Sequence, residues 1–200
     1  MNLSLLSRHQ RPKRRSIQLF DGADLEDARV HECSGVSKHL FALLVAQKTQ
    51  GPVFWISLTH RRDHINPQGF QSLISPHHFI FITAKRHIDA LWSMEEALRS
   101  PAPRLVVADL DTYPALTPTR RLHLAAEQGN TLGLLLTPQT GGAQGIETRW
   151  HMTPQHTPSE QNWHLSRTKA RGAPPQDWTL VKSDATTFEV QSDIQRSATY

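Results

Sequence analysis

A single glycine separates a strand-like segment from an amphipathic helix-like segment, and this junction constrains the fold more than any other part of the chain. Residues 28–33 have the pattern of a short β-strand, Gly35 follows, and residues 36–47 place leucines at helical spacing. Alternation of apolar strands with amphipathic helices continues to residue 137. Strands joined by crossover helices form a mainly parallel sheet with helices on its faces. The sequence therefore predicts an α/β domain.

The remaining elements follow the same reasoning, with a change of pattern after Gly141 and Gly142. Predicted strands at 28–33, 52–58, 78–83, 105–109 and 131–137 alternate with helices at 36–47, 85–99 and 117–128. Gly129 is the expected C-cap of the third helix. Strands at 148–153, 163–169 and 178–182 are expected to extend the sheet in antiparallel fashion. The domain spans 28–183, between a basic N-terminal arm and lead-in (1–27) and a flexible C-terminal tail (184–200).

The predicted helix at 85–99 carries an apolar stripe, and the tryptophans are expected mostly on core faces. Ile88, Leu91, Trp92 and Leu98 recur at spacings of three and four residues. Packing is the preferred role of the five tryptophans, although Trp163 and Trp178 are of the type that can stack on bases.

Composition excludes several classes of protein. The hydrophobic content of 38% supports one domain with a core, and the single cysteine excludes a disulfide framework. No apolar run approaches the roughly 18 residues of a membrane-spanning helix. The N-terminal basic residues follow the apolar ones, which is a poor secretory signal. We expect a cytoplasmic protein with no membrane partner, and the net charge of +4 weakly favours anionic partners.

The glycine junction resembles a phosphate-binding loop in position but not in spacing. The loop consensus G-x-x-x-x-G-K-[ST] places glycine and lysine six residues apart, whereas Gly35 and Lys38 are three apart. His39 stands where a hydroxyl would hold magnesium, and residues 57–60 offer no glutamate to activate water. Lys38 is expected to be a solvated residue of the first helical turn.

Asp109 is the third part of this degenerate nucleotide site. It ends the apolar strand LVVAD, as a metal-side acid would, but an ordinary polar residue at the end of a buried strand is the preferred interpretation. Since two of the three parts needed for hydrolysis are missing or displaced, we expect no ATPase activity, no catalytic residue and no cofactor.

Metal and nucleophile chemistry have little support in the sequence. His77 and His78 adjoin a strand, where neighbours point to opposite faces, and no H-x-x-x-H pair lies in a helix beside an acid. Cys33 ends a core strand, where a buried thiol is common. We expect no metal site.

Two basic groups are candidates for binding nucleic acid or a partner protein. The arm contains Arg11, Lys13, Arg14 and Arg15, and a solubilising tail is its alternative role. The second group alternates along a predicted strand, so its side chains are expected on one face; it comprises Arg167, Lys169 and Arg171. A half-buried strand with a solvated outer face is the alternative for this stripe. Residues 140–145 are too short and uncharged to indicate a DNA-binding loop.

Six segments in order resemble one known group of proteins. They are RVHECSG, GPVFWI, ALWSMEEALRS, RRLHLAAEQGNTLGLLLTP, TRW and WHLSRTKARGAPPQDWTL, which together cover most of residues 28–182. The ordering resembles the RecA-like superfamily. Within it, the chain is most similar to the ImuA group, accessory proteins of the bacterial SOS mutagenesis operon that are related to the SulA cell-division inhibitors.

The resemblance implies a RecA-like domain that recruits or regulates other proteins. Members act with a catalytically dead Y-family polymerase homologue and an error-prone polymerase in translesion synthesis, with links to RecA. We therefore expect a non-catalytic adaptor in the SOS response and DNA repair, and we leave direct contact with DNA open. One alternative is a RecA-like ATPase in DNA repair. Another is a SulA-like inhibitor that binds FtsZ, although those inhibitors are shorter after the position of Pro138.

Overall fold

The centre of the structure is a mixed sheet that is parallel for most of its width. The structure is a computed structural model that describes residues 15–60, 65–138 and 141–191. Arg11, Lys13 and Arg14 of the predicted arm lie outside these ranges. Helices cover both faces, and the antiparallel strands lie at the C-terminal end of the sheet. The predicted α/β class is therefore confirmed.

The elements follow each other in a simple order. The strands are β1 (Ser16–Phe20), β2 (Ala23–Glu26), β3 (Val30–Ser34), β4 (Val53–Leu58), β5 (Phe79–Ala84), β6 (Leu105–Asp109), β7 (Leu132–Leu136), β8 (Thr148–Pro154), β9 (Asn162–Ala170), β10 (Gln176–Lys182) and β11 (Phe188–Val190). The helices are α1 (Lys38–Thr49), α2 (Pro67–Phe70), α3 (His87–Arg99) and α4 (Leu116–Gly129), with a 3₁₀ turn at Pro76–His78.

Within the described residues the main sheet has the order β11-β10-β9-β8-β3-β7-β6-β4-β5. All pairs from β8 to β5 are parallel, and the pairs among β8, β9, β10 and β11 are antiparallel. The prediction for 148–153 was thus half right, since β8 runs parallel to β3 and antiparallel to β9. The core strands β6 and β7 are buried along their whole length. Continuous apolar runs are what a parallel sheet covered on both faces requires.

Two pieces of regular structure lie where the sequence analysis placed only an arm and a tail. Residues 16–26 form an antiparallel hairpin, β1–β2, whose turn contains Asp21 and Gly22. Asp-Gly between alternating apolar residues is a hairpin signal, which the basic residues before it obscured. Strand β11 pairs with β10, so the prediction of an unstructured tail is wrong for residues 188–190. Phe188 packs against Trp163, with 5.2 Å between ring centroids.

The two helices on the second face differ in detail from their predicted forms. On α3 the buried side is built from Ala90, Met94 and Leu98, whereas Ile88 and Trp92 are 66% and 61% exposed. The predicted stripe therefore marked the core face only in part: Leu98 is buried and Leu91 packs against the core, whereas the buried side also uses Ala90 and Met94. Helix α4 ends at Gly129, and its C-cap is the left-handed Asn130 (φ 52°) rather than Gly129 as predicted.

Candidate functional site

The carboxyl ends of β3, β6 and β7 meet at one edge of the sheet, and the first turn of α1 lies over them. Lys38 Nζ is 2.9 Å from Asp109 Oδ1 and also donates to the carbonyl of Thr137 at 3.4 Å. His39 Nε2 lies 2.8 Å from Asp109 Oδ2. Both carboxylate oxygens of Asp109 therefore contact side chains of α1. Ligands of open α/β sheets bind outside these strand ends, so this is the candidate site.

Burial makes this pairing a structural feature rather than a surface contact. Asp109 is 1% exposed and Lys38 is 9% exposed. Burial by itself raises the pKa of Asp109, but the hydrogen bond from His39 and the charge and hydrogen bond of Lys38 outweigh it and lower the pKa below its usual value of 3.8. The carboxylate is therefore ionised at neutral pH. The prediction that Lys38 is solvated is wrong. Lys38 is the first residue of α1, and its side chain extends inward to Asp109 at the end of β6.

The turn that carries Gly35 presses against the backbone of β8. Gly35 has φ +99°, and a Cβ atom there would lie 2.2 Å from the carbonyl oxygen of Met152. That oxygen accepts the N–H of Ser37 at 3.1 Å, and the N–H of Lys38 donates to the carbonyl of Gly35 at 3.2 Å. Phosphate-binding loops present such backbone N–H groups to the ligand. Here two of them already have protein acceptors.

A second group of polar residues lies along the same edge. Asp111 is flanked by His60 Nε2 at 3.3 Å and His87 Nδ1 at 3.4 Å, and Thr112 Oγ1 lies 3.0 Å from His87 Nδ1. Asp111 and His60 are well exposed, so these contacts add little stability. Across residues 15–60, 65–138 and 141–191, no three His, Cys, Asp or Glu side chains are grouped so that they could hold a metal ion.

Buried Glu32 forms hydrogen bonds with the segment that follows β7 and contains Gly141, Gly142 and Gly145. Its carboxylate accepts hydrogen bonds from Thr137 Oγ1, from the Ala143 N–H and from Arg149 Nε, the last at 2.6 Å. Arg149 also donates to the carbonyl of Ala143 at 2.8 Å. Ala143, within residues 141–145, is thus tied to the centre of the sheet.

The predicted basic stripe is not an exposed stripe. Arg167 is 5% exposed and lies between Trp150 and Trp178, with its guanidinium carbon 5.7 Å and 5.4 Å from their ring centroids. It donates to the carbonyls of Gly22 and Pro174. Arg167 therefore joins the hairpin to the turn between β9 and β10.

A register shift explains why the alternation along β9 failed. Trp150 pairs with Arg167 and Arg149 pairs with Lys169, which leaves Thr168 as an extra residue. Such a bulge moves the next side chain to the other face. Lys169 is exposed, and Arg171 donates to the carbonyl of Gly145 at 2.7 Å. The structure therefore separates Arg167 from Lys169, two residues that the sequence placed on one surface.

The buried His31 and the half-buried His123 were missed by the sequence analysis. His31 Nε2 donates to the carbonyl of Glu26, and its Nδ1 lies 2.6 Å from Thr148 Oγ1, which itself accepts from Trp150 Nε1. Neutral His31 satisfies these hydrogen bonds, because Nε2 carries the proton and Nδ1 accepts from the Thr148 hydroxyl. Burial lowers the pKa of His31 from 6.5 to about 4, and burial with the nearby charge of Arg29 does the same for His123. No sequence signal marks either residue, since each is an isolated histidine in a regular element.

Cys33 packs in the core at the end of β3. Burial raises the pKa of its thiol well above the ordinary value, so the thiol is protonated at neutral pH. A buried protonated thiol is not a nucleophile.

Comparison of the sequence with protein-family models and with curated proteins gave no match. None of the helices that the structure describes combines the length and the apolarity needed to span a bilayer.

Proposed function

We propose that this protein is a non-catalytic adaptor that works by binding other macromolecules. The observation that carries the proposal is the contact of Lys38 and His39 with both oxygens of Asp109. In a nucleotide-hydrolysing site the lysine reaches phosphate and the acid serves the magnesium ion. Here the two groups neutralise each other in a buried environment, and neither is free for that chemistry.

The turn before α1 supports the same proposal. The N–H of Ser37 is used by the carbonyl of Met152, and the close approach of β8 to Gly35 occupies the space beside the turn. A phosphate group needs several backbone donors together at such a turn. The geometry therefore favours a fold that resembles a nucleotide-binding domain but acts through its surfaces.

The biological setting of the proposal comes from the sequence resemblance to the ImuA group. We propose a RecA-like subunit of the SOS response that recruits or regulates an error-prone polymerase complex in translesion synthesis. A Y-family polymerase homologue and RecA are the proposed partners. The division-inhibitor alternative is less favoured, because β8 to β11 follow residue 138 and form a large part of the sheet.

Co-purification from DNA-damaged cells tests this function. A tagged full chain is expected to recover the Y-family polymerase homologue or RecA, and the same preparation from undamaged cells is the control. Recovery of FtsZ together with filamentous cells on overexpression would favour the SulA-like alternative instead. Recovery of neither class would contradict both.

A further inference from the structure

Three basic side chains from separate elements line one cavity beside the hairpin. Arg15 precedes β1, Lys48 lies in the last turn of α1, and Arg104 precedes β6. The cavity has a volume of about 270 Å³, and Asp27 is the one carboxylate among the residues that line it. All three basic residues are exposed. Because Arg104 and Arg15 lie next to the first residues of their strands, this cavity is at the amino ends, away from the Lys38–Asp109 pair.

Among the described residues, the positive charges that line this cavity outnumber the carboxylates that line it. Within the described parts of the chain, no carboxylate lies within ion-pair distance of Lys48 or Arg104. Asp27 Oδ1 accepts the N–H of Ala28 at 3.0 Å, so it serves the turn before β3. The lining therefore carries an excess of positive charge that is available to an anion.

The backbone holds these residues in place. The N–H of Arg104 donates to the carbonyl of Pro52 at 2.8 Å, and its stem lies across Gly51, where a Cβ atom would be 2.1 Å from Arg104 Cγ. The carbonyl of Arg15 accepts the N–H of Asp27 at 2.8 Å at the base of the hairpin. These contacts fix the backbone from which the side chains of Arg15 and Arg104 extend into the cavity.

A second cavity, of about 290 Å³, adjoins the first and shares Lys48 with it. Phe20 and Phe188 line this second cavity. Sites for single-stranded nucleic acid combine a basic groove for the backbone with aromatic side chains for the bases. The two cavities are joined through Lys48 and through consecutive residues of β1. Together they offer basic side chains for the backbone and aromatic side chains for the bases.

We propose that these two cavities bind single-stranded nucleic acid, with phosphates at Arg15, Lys48 and Arg104 and a base against Phe20 and Phe188. In the sequence, Arg11, Lys13 and Arg14 stand shortly before Arg15. So many cations in succession suit a ligand with repeated phosphates. A lipid surface fits less well, because the most exposed large apolar side chains lie elsewhere; they are Val36, Ile80, Phe81, Ile88, Trp92, Leu124 and Val190.

The proposal goes beyond the adaptor role and does not depend on which protein the chain recruits. Fluorescence anisotropy with a labelled 20-nucleotide single strand and its duplex, at several salt concentrations, tests it on the full chain. Lys48→Ala/Arg104→Ala is expected to weaken single-strand binding about tenfold or more. The slope of log affinity against log salt should fall by about 1.4, since each lost phosphate contact contributes about 0.7.

Matched variants separate a specific site from general charge. Lys85→Ala/Arg120→Ala removes the same charge from exposed positions elsewhere and is expected to leave the slope unchanged. The variant Lys48→Arg/Arg104→Lys keeps both charges and should retain the dependence of affinity on salt. The weaker binding of the alanine variant is then due to the lost charges rather than to misfolding. Phe20→Ala should weaken single-strand binding more than duplex binding.

Three results would overturn the proposal. The first is unchanged affinity and slope in Lys48→Ala/Arg104→Ala, and the second is an equal loss in the control pair. The third is binding to vesicles of anionic lipid without binding to the oligonucleotide. None of these results bears on polymerase or RecA recruitment, so failure here is distinguishable from failure of the adaptor role.

Discussion

At the scale of single residues, the contact of Lys38 with Asp109 determines whether the carboxyl edge of the sheet can accept a nucleotide. Removing two charges from water is costly, and their attraction repays that cost only with good geometry and further hydrogen bonds. The second oxygen of Asp109 has His39, and Lys38 also reaches the carbonyl of Thr137. The side chains of this cluster therefore satisfy one another. Breaking the contact of Lys38 with Asp109 to admit a nucleotide would leave a buried charge without its partner.

A double-mutant cycle tests this coupling. Lys38→Met and Asp109→Asn are each expected to cost about 3 kcal/mol of unfolding free energy, because each leaves a buried polar or charged group without its partner. The double variant should cost clearly less than the two single costs together. Urea denaturation measures all three values. Additive costs would mean that Lys38 and Asp109 do not stabilise each other.

His31 and His123 predict loss of stability in mild acid. In the folded protein the pKa of His31 and of His123 is lowered to about 4, whereas both take up a proton near 6.5 when unfolded. The unfolded state thus binds more protons between these values, and stability falls as the pH drops from 6.5 towards 4. At about 1.4 kcal/mol per pH unit, each histidine contributes roughly 3 kcal/mol of this loss.

Chemical denaturation at a series of pH values between 7 and 4 measures the effect. His31→Gln is expected to be less stable at pH 7 but to lose less stability on acidification than the unaltered chain. His156→Gln is a matched control on an exposed histidine and should keep the full pH dependence. Identical slopes in His31→Gln and the unaltered chain would show that His31 is not held neutral.

At the scale of secondary structure, the sequence predicted the elements whose periodicity matched their surroundings. The buried runs of β6 and β7 and the crossover helices were found because a parallel sheet requires them. The bulge at Thr168 could not be found, since one extra residue leaves composition unchanged but moves every later side chain to the other face. The stripe of Arg167, Lys169 and Arg171 failed for this reason.

The bulge gives a prediction with its own control. Arg167→Gln is expected to cost roughly 2 kcal/mol, because it removes contact with two indole rings and charged hydrogen bonds to two carbonyls. Lys169→Gln, two residues away and exposed, should change stability by less than about 0.5 kcal/mol. Thermal or urea unfolding compares the pair. Equal effects would contradict the placement of Arg167 between Trp150 and Trp178.

At the scale of the whole molecule, connection rules were enough to predict an α/β fold. Comparison with the parts of a nucleotide site grouped Gly35, Lys38 and Asp109 but did not show that Lys38 is buried against Asp109. That contact depends on the path of one side chain. The cavity of Arg15, Lys48 and Arg104 was beyond prediction, since its residues come from three distant elements.

Titration calorimetry with Mg-ATP tests the central claim most directly, namely that the Lys38–Asp109 cluster and the occupied backbone donors replace nucleotide chemistry. We expect no binding at micromolar concentrations and no hydrolysis above a buffer blank. Lys38→Ala serves as the comparison and should behave identically towards ATP. Saturable micromolar binding by the unaltered chain that is lost in Lys38→Ala would contradict the account.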